Sequence, residues 1–439
     1  MKTILDRAKG SALDVVATRG VPLATATLLS SHTRQIRHLE LPYYQWADIL
    51  MFSKINSGPL PLLRTLELHS VMIGNQVSQS TTSTTPALPL FSGAVNLEEF
   101  TFHPRGVESL SHFTFPNLTT FTLQTPPSLS LSAREFLNFL EASPMLRTVN
   151  VVSGSIIPGD TPQHMLVVLP NVETFSLFAM VGGWHVYHLA THISCPHAKN
   201  ISLGQRVHDL DITPGLEIFP NPTLWKTIVR QHSTNPVEEV ALETVDDGLV
   251  ACSLAFRSPD GPTIRLGFCV ISTGVEEEEL ELSWGELDLA IISQAFSTIR
   301  CHPLLSHLKR LHIQDALGNL GNGCELPMAG VVGDLFRCLG PLDVLTINGW
   351  DAAMFLAPFI DLPKFRHFER VFPHVKQFTI LEGRMDDYPR FMDALVELAK
   401  SKHEKGTPFE HVTVEAIEIP AGTEERLEEW VSTVRCCKF

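Results

Sequence analysis

Leu63-Arg64-Thr65-Leu66-Glu67-Leu68 places apolar side chains at the first, fourth and sixth positions of a six-residue phrase. On an extended chain the fourth and sixth positions point to one face, and the third and fifth to the other. The phrase therefore reads as a short strand with one buried and one solvated side. It returns as Leu118-Thr-Thr-Phe121-Thr-Leu123 and as Leu308-Lys-Arg-Leu311-His-Ile313.

Aligning the phrase along the chain predicts strands around Leu39, Leu66, Phe100, Phe121, Val149, Phe175, Ile201, Val240, Leu311, Leu345, Phe378 and Val412, each residue filling the fourth position. Successive copies lie 21 to 39 residues apart, except that the interval from Val240 to Leu311 is about twice as long. A diverged repeat or insertion over 243–285 is expected to fill that interval, with strand-like runs at Thr263–Ile271 and Glu279–Trp284. Units of this length, each too small to bury its own apolar face, stack into solenoids. The period fits leucine-rich repeats at their long, irregular end. The expected fold is α/β: one irregular leucine-rich-repeat horseshoe over 1–439, with a parallel sheet on the concave side and helices and loops on the convex side.

Punctuation between the strands agrees. Pro61, Pro116, Pro144 and Pro170 stand two residues before the first apolar position, where proline ends the previous segment. Ser132-Ala-Arg-Glu135 is a capping box that opens a helix carrying Phe136, Leu137, Phe139 and Leu140. Helical spacing recurs over 45–55, 223–229, 286–299, 331–339, 354–360 and 389–398. Leu427, Trp430, Val431 and Val434 form a stripe that predicts a capping helix over 423–435. The Ser/Thr-rich segment 78–88 reads as a flexible loop.

Two segments carry a family resemblance. His32-Thr-Arg-Gln-Ile-Arg-His-Leu-Glu-Leu41 and Asn56-Ser-Gly-Pro-Leu-Pro-Leu-Leu-Arg-Thr-Leu-Glu-Leu68 resemble the first repeats of F-box-type leucine-rich-repeat proteins of mushroom-forming fungi. Leu5 to Val16 resembles the helix end and strand just upstream. The resemblance implies a substrate-recognition region of a cullin-RING ubiquitin ligase, whose partner enzymes perform the chemistry. The sequence departs from that pattern twice. Nothing before Ser11 has room for an F-box, so a ligase adaptor is an expected partner only if an F-box lies upstream. The ninth repeat position, where regular repeats carry Asn or Cys, holds Val71, Arg105, Pro126, Gly154, Met180, Ala316 and Trp350.

Composition narrows the function classes. The chain has 439 residues, 44% of them hydrophobic, and a formal charge of −15. Nucleic-acid binding needs a positive footprint, which is missing here. No run of about 18 uncharged apolar residues suggests a membrane span, and the charged first residues do not read as a signal peptide. An intracellular protein, cytoplasmic or nuclear, is expected. Eight cysteines scattered through this length do not make a disulfide framework.

Catalytic signatures are weak. His185, His188 and His192 are three and four apart, with Cys195 following, a spacing that would place three imidazoles on one helix face. The intervening Val186, Leu189 and Ile193 fit a short amphipathic helix equally well. A metal-dependent enzyme built on 185–197 is thus the remote alternative to a non-enzymatic protein, and no cofactor is expected. Gly318-Asn-Leu-Gly321-Asn-Gly323 lacks the Lys-Ser/Thr of a phosphate-binding loop.

The better candidate is the polar strand face. Its third and fifth positions hold His38, Glu40, Thr65, Glu67, Glu99, Thr101, Thr120, Thr122, Thr148, Asn150, Thr174, Ser176, Arg310 and His312, continued by Asn200, Ser202, Glu239, Thr346, Gln377, Thr379, His411 and Thr413. Long polar surfaces of this kind bind extended protein segments. The leading expectation is a protein-recognition scaffold, with a leucine-rich-repeat scaffold or inhibitor without a ubiquitin link as the alternative.

Overall fold

The computed structural model describes residues 11–17, 23–43, 48–49, 52–53, 58–71, 90–105, 109–126, 128–157, 165–181, 184–208, 223–224, 227–228, 237–244, 250–258, 263–271, 308–314, 342–348, 374–383, 388–416 and 419–438. The expected loop at 78–88, the runs 279–284 and 318–323, and the helices at 286–299, 331–339 and 354–360 lie outside these residues, as do most of 45–55 and part of 223–229. The fold is α/β, with few helices and largely parallel sheet. It divides into two compact units, Met1–Arg206 and Val207–Phe439.

In the first unit the strands are β1 (Leu13–Val16), β2 (Ile36–Tyr43), β3 (Thr65–Ser70), β4 (Glu99–His103), β5 (Thr120–Gln124), β6 (Ser130–Ser132), β7 (Thr148–Ile157), β8 (Val167–Val168), β9 (Thr174–Val181), β10 (Ile193–Ser194) and β11 (Asn200–His208). Strands β1, β2, β3, β4, β5, β7, β9 and β11 pair in that order, all parallel. The phrase sets the register: Leu39, Leu66, Phe100, Phe121, Val149, Phe175 and Ile201 stand opposite one another in turn. A one-residue slip would expose every one of them, so the apolar alternation itself selects the pairing.

The start of each strand shows why proline sits where it does. Leu63 N–H bonds Leu60 O at 3.2 Å, Leu118 N–H bonds Phe115 O at 3.2 Å and Leu146 N–H bonds Ser143 O at 3.3 Å. Proline thus occupies the second residue of a β-turn, where its fixed φ is an advantage. An asparagine follows in several copies and reaches back one repeat. Asn96 Nδ2 donates to Pro61 O at 2.9 Å, Asn117 Nδ2 to Val95 O at 2.7 Å, and Asn171 Nδ2 to Pro144 O at 3.1 Å. The ninth position has no asparagine ladder, but a short one stands immediately before the phrase. Asn117 therefore lies in the turn just before its strand.

The core lies behind the sheet. Phe100, Phe102, Phe113, Phe115, Phe121 and Phe139 are all nearly inaccessible and stack in tilted and edge-on contacts, with centroids 4.5 Å apart for Phe121 and Phe139. Helix α1 (Leu23–Ser30), helix α2 (Ala133–Glu141) and helix α3 (Trp184–Ala190) lie between strands of this unit. At α2 the capping box is half made: Ser132 Oγ accepts from Glu135 N–H at 3.4 Å, while the Glu135 carboxylate accepts from Ser109 Oγ at 2.7 Å. The glutamate ties two repeats together instead of closing on its own cap. Gly93 is required by packing, because a Cβ there would stand 2.4 Å from Gly58 O.

The second unit contains β12 (Glu239–Thr244), β13 (Val250–Arg257), β14 (Thr263–Ile271), β15 (Arg310–Gln314), β16 (Val344–Asn348), β17 (Gln377–Gly383), β18 (His411–Ala416) and β19 (Thr433–Lys438). Strands β12, β15, β16, β17, β18 and β19 are parallel neighbours in that order. The insertion joins this sheet. Strand β14 has the bounds expected from the sequence, but β13 was not anticipated; it runs antiparallel to both β12 and β14. Its Ala251-Cys-Ser-Leu-Ala255 core lacks a leading apolar phrase, so the repeat pattern passes over it.

The C-terminus is a second correction. The stripe at 423–435 is not one capping helix: α5 spans Thr423–Glu428 and the chain then extends as β19. Val431-Ser-Thr-Val434-Arg-Cys436 is a further copy of the phrase, with Val434 opposite Val412 and Cys436 opposite Val414. Val431 and Val434 fit both the helical stripe and the phrase, and parallel pairing to β18 decides in favour of strand. The intervening helix α4 (Tyr388–Glu404) contains the predicted 389–398 and ends at Gly406, φ +74°, where Thr407 N–H returns to Lys402 O at 2.9 Å. Glycine is favoured there because the closing turn is left-handed.

The second position of the phrase holds a charge ladder. In the second unit it reads Glu238, Lys309, Asp343, Lys376 and Glu410 across neighbouring strands, with alternating sign. Lys309 Nζ meets Glu238 Oε1 at 3.0 Å and Lys376 Nζ meets Glu410 Oε1 at 2.9 Å. Cross-strand pairs of opposite charge favour this order of strands over its alternatives.

Among the described residues, no helix is long and apolar enough to cross a membrane.

Candidate functional site

The third and fifth positions of the phrase point away from the core, so the parallel register turns them into continuous rows. In the first unit one row is His38, Thr65, Glu99, Thr120, Thr148 and Thr174. The other is Glu40, Glu67, Thr101, Thr122, Asn150 and Ser176. Glu99 and Asn150 are exposed and the rest half-buried, while the intervening fourth and sixth positions are sealed. Twelve of the candidate residues thus share one face of one sheet. Arg310 and His312 stand on β15 of the second unit.

The face of the first unit is graded in chemistry. Its early strands carry carboxylates and imidazoles, and its later strands carry hydroxyls and amides. Thr65 Oγ1 donates to Glu99 Oε2 at 3.4 Å. The rows also extend to a seventh position, one step beyond the phrase, where His69 of β3 stands opposite His103 of β4. The two Nδ1 atoms are 3.1 Å apart, and Glu67 Oε2 lies 3.2 Å from His69 Nε2. Burial pushes the His103 imidazole below its ordinary range; nearby His69 adds to the shift, Glu67 opposes it and Arg105 adds to it.

Sequence reasoning missed this pair because it stopped at the sixth position. The signal was present, since Leu66-Glu-Leu68-His69 and Phe100-Thr-Phe102-His103 continue the same alternation in adjacent copies.

The face of the second unit centres on Glu239. Its carboxylate is bound by the Arg257 guanidinium from the antiparallel strand β13, with Arg310 Nη1 at 3.8 Å and His312 Nε2 at 3.7 Å. Two guanidinium groups and an imidazole therefore surround one acid. The glutamate is only 17% exposed, which strengthens these pairs relative to ordinary surface contacts.

The segment 185–197 is differently organised from the expected ligand set. His188 and His192 have ring centroids 5.3 Å apart, but His192 Nδ1 is engaged by Met165 O at 2.8 Å. As the carbonyl can only accept, Nδ1 carries the proton and is closed to a metal. Cys195 is buried, and burial pushes its thiol up to about 12. Val186, Leu189 and Ile193 are core residues. Among the described residues, no group of three or more His, Cys, Asp or Glu is disposed to hold a metal ion.

No family model and no curated protein matches this chain.

Proposed function

We propose that the protein is a non-enzymatic recognition scaffold, an irregular leucine-rich-repeat solenoid whose polar strand face receives an extended protein segment. The observation that carries this reading is the unbroken register of the third and fifth positions, which aligns polar side chains strand after strand. A rigid sheet presents such rows at fixed spacing and without ordering cost, a property that suits binding more than chemistry. The resemblance of the first repeats to F-box-type proteins makes a ubiquitin-ligase substrate receptor the leading form of this function, with a ligase adaptor as partner only if an F-box lies upstream.

The test has two parts. Sequencing the transcript upstream of Met1 and co-purifying the extended protein with a cullin adaptor addresses the ligase link; an extended protein without an adaptor overturns it. Recognition is tested by cross-linking mass spectrometry on wild-type protein and on a variant with Thr122, Asn150 and Ser176 changed to arginine. Partner cross-links confined to the strand face and lost in the variant support the reading. Cross-links to the opposite side, unchanged by the variant, sink it.

A further inference from the structure

We propose that His69 and His103 form a two-nitrogen site for a divalent transition-metal ion, zinc foremost, on the polar face of the first unit. The site stands on its own geometry, whether or not that face recognises a protein.

The two nitrogens stand at the separation a shared ion needs. Zinc–imidazole bonds are about 2.0–2.1 Å, so an ion bonded to two nitrogens 3.1 Å apart subtends about 100°, between octahedral and tetrahedral angles. Two imidazoles aimed nitrogen to nitrogen across that gap would hold their centroids about 5.4 Å apart, whereas lone pairs converging on a shared ion would bring them to about 4.8 Å. The observed centroids are 4.6 Å apart with the rings at 79°. The two nitrogens are within hydrogen-bond reach of each other, and the rings are bent off the line joining them in the sense that suits a common ligand.

The Glu67 carboxylate beside His69 Nε2 can only accept, so it holds the proton on Nε2 and leaves Nδ1 with a free lone pair. A carboxylate behind a ligating imidazole orients the ring and raises its basicity. The two histidines are direct cross-strand partners, so adjacent strands fix the bite in advance. Half-buried His69 and Glu67, 26% and 30% exposed, leave the outer side of the ion open to water or to a donor from a bound molecule. Two protein ligands do not make a structural zinc site, and this geometry belongs to an open, exchangeable one.

Titration of chelator-treated full-length protein with zinc sulfate by calorimetry tests the proposal. One ion per chain is expected, with binding lost in H69A and in H103Q and weakened about tenfold or more in E67Q. H188A, which alters the histidine pair of the 185–197 segment, should bind as wild type. Because the alanine variant removes a sheet residue, copper electron paramagnetic resonance on the unaltered chain provides the second readout. Superhyperfine splitting from two imidazole nitrogens is expected. No saturable uptake, uptake unchanged in H103Q, uptake abolished by H188A, or coupling to fewer than two nitrogens would each overturn the site.

Discussion

The two units are built from the same phrase, yet they use their polar faces differently. In the first, every neighbour in the main sheet is parallel, and the early strands gather Glu40, Glu67 and Glu99 with His38, His69 and His103. In the second, the antiparallel strand β13 brings Arg257 beside β12, and Glu239 is enclosed by Arg257, Arg310 and His312. One repeat grammar therefore yields a carboxylate-imidazole surface in one unit and a carboxylate ringed by guanidinium groups in the other. The lesson is that the phrase dictates where side chains point, while their identities and one inserted strand dictate what the face attracts.

The largest test of the comparison is Phe100→Ala. Phe100 contacts five other phenylalanines of the first unit, so its truncation should cost about 3–5 kcal/mol. Hydrogen exchange should lose protection over 97–125 and retain it over 375–416. Equal loss in both stretches would show that the units do not unfold separately.

Lys402 offers the opposite sign in the second unit. It is 4% exposed, with Nζ 4.9 Å from the Phe409 ring centroid, and burial lowers its pKa from 10.5 to about 8. Between those values the unfolded chain binds more protons, so stability rises with pH across that window. K402M should stabilise the protein at pH 7 by about 1–2 kcal/mol once the lost cation–π contact is set against the relief. The advantage should vanish above pH 10.5, as measured by urea unfolding at the two pH values.

Acid should separate the units by a smaller effect. Burial lowers His103, His112, His185 and His188 from 6.5, and all four belong to the first unit. Below 6.5 the unfolded chain takes up more protons than the folded one, so stability is fully present above 6.5 and is lost as the pH falls below it. Unfolding followed from pH 7.5 to pH 5 should show this loss, and H112Q should flatten it. A profile identical to wild type would contradict the role given to burial.

The smallest effect is expected at the charge ladder. Lys376→Glu places like charges beside Glu410 and Asp343, and the double variant with Glu410→Lys restores a pair. The single change should lower the melting temperature slightly, and added salt should erase the difference, because exposed pairs are weak and screened. A salt-independent loss would mean that Lys376 acts through packing.

Much of the sheet was legible in the sequence. All twelve aligned copies are strands, because three apolar residues at fixed offsets leave an extended chain only one way to bury them. The copy ending at Cys436 is ambiguous in sequence, since Val431 and Val434 satisfy both periods and only the pairing with Val412 distinguishes them. Strand β13 escaped because its pattern is not the phrase. The turn asparagines stand immediately before the phrase and not at the ninth position, where regular repeats place theirs, so the repeat pattern does not mark them.

The candidate site divides in the same way. That Thr65, Glu67, Thr120 and Thr148 turn away from the core follows from their places between buried neighbours, and needs no partner strand. That His69 meets His103, or that Glu239 collects Arg257 from a strand running the other way, depends on which strands become neighbours. Alternation is a local property of each strand, settled by solvent on one side and core on the other. Juxtaposition joins residues far apart in the chain, and only the folded register brings their nitrogens and oxygens within bonding distance.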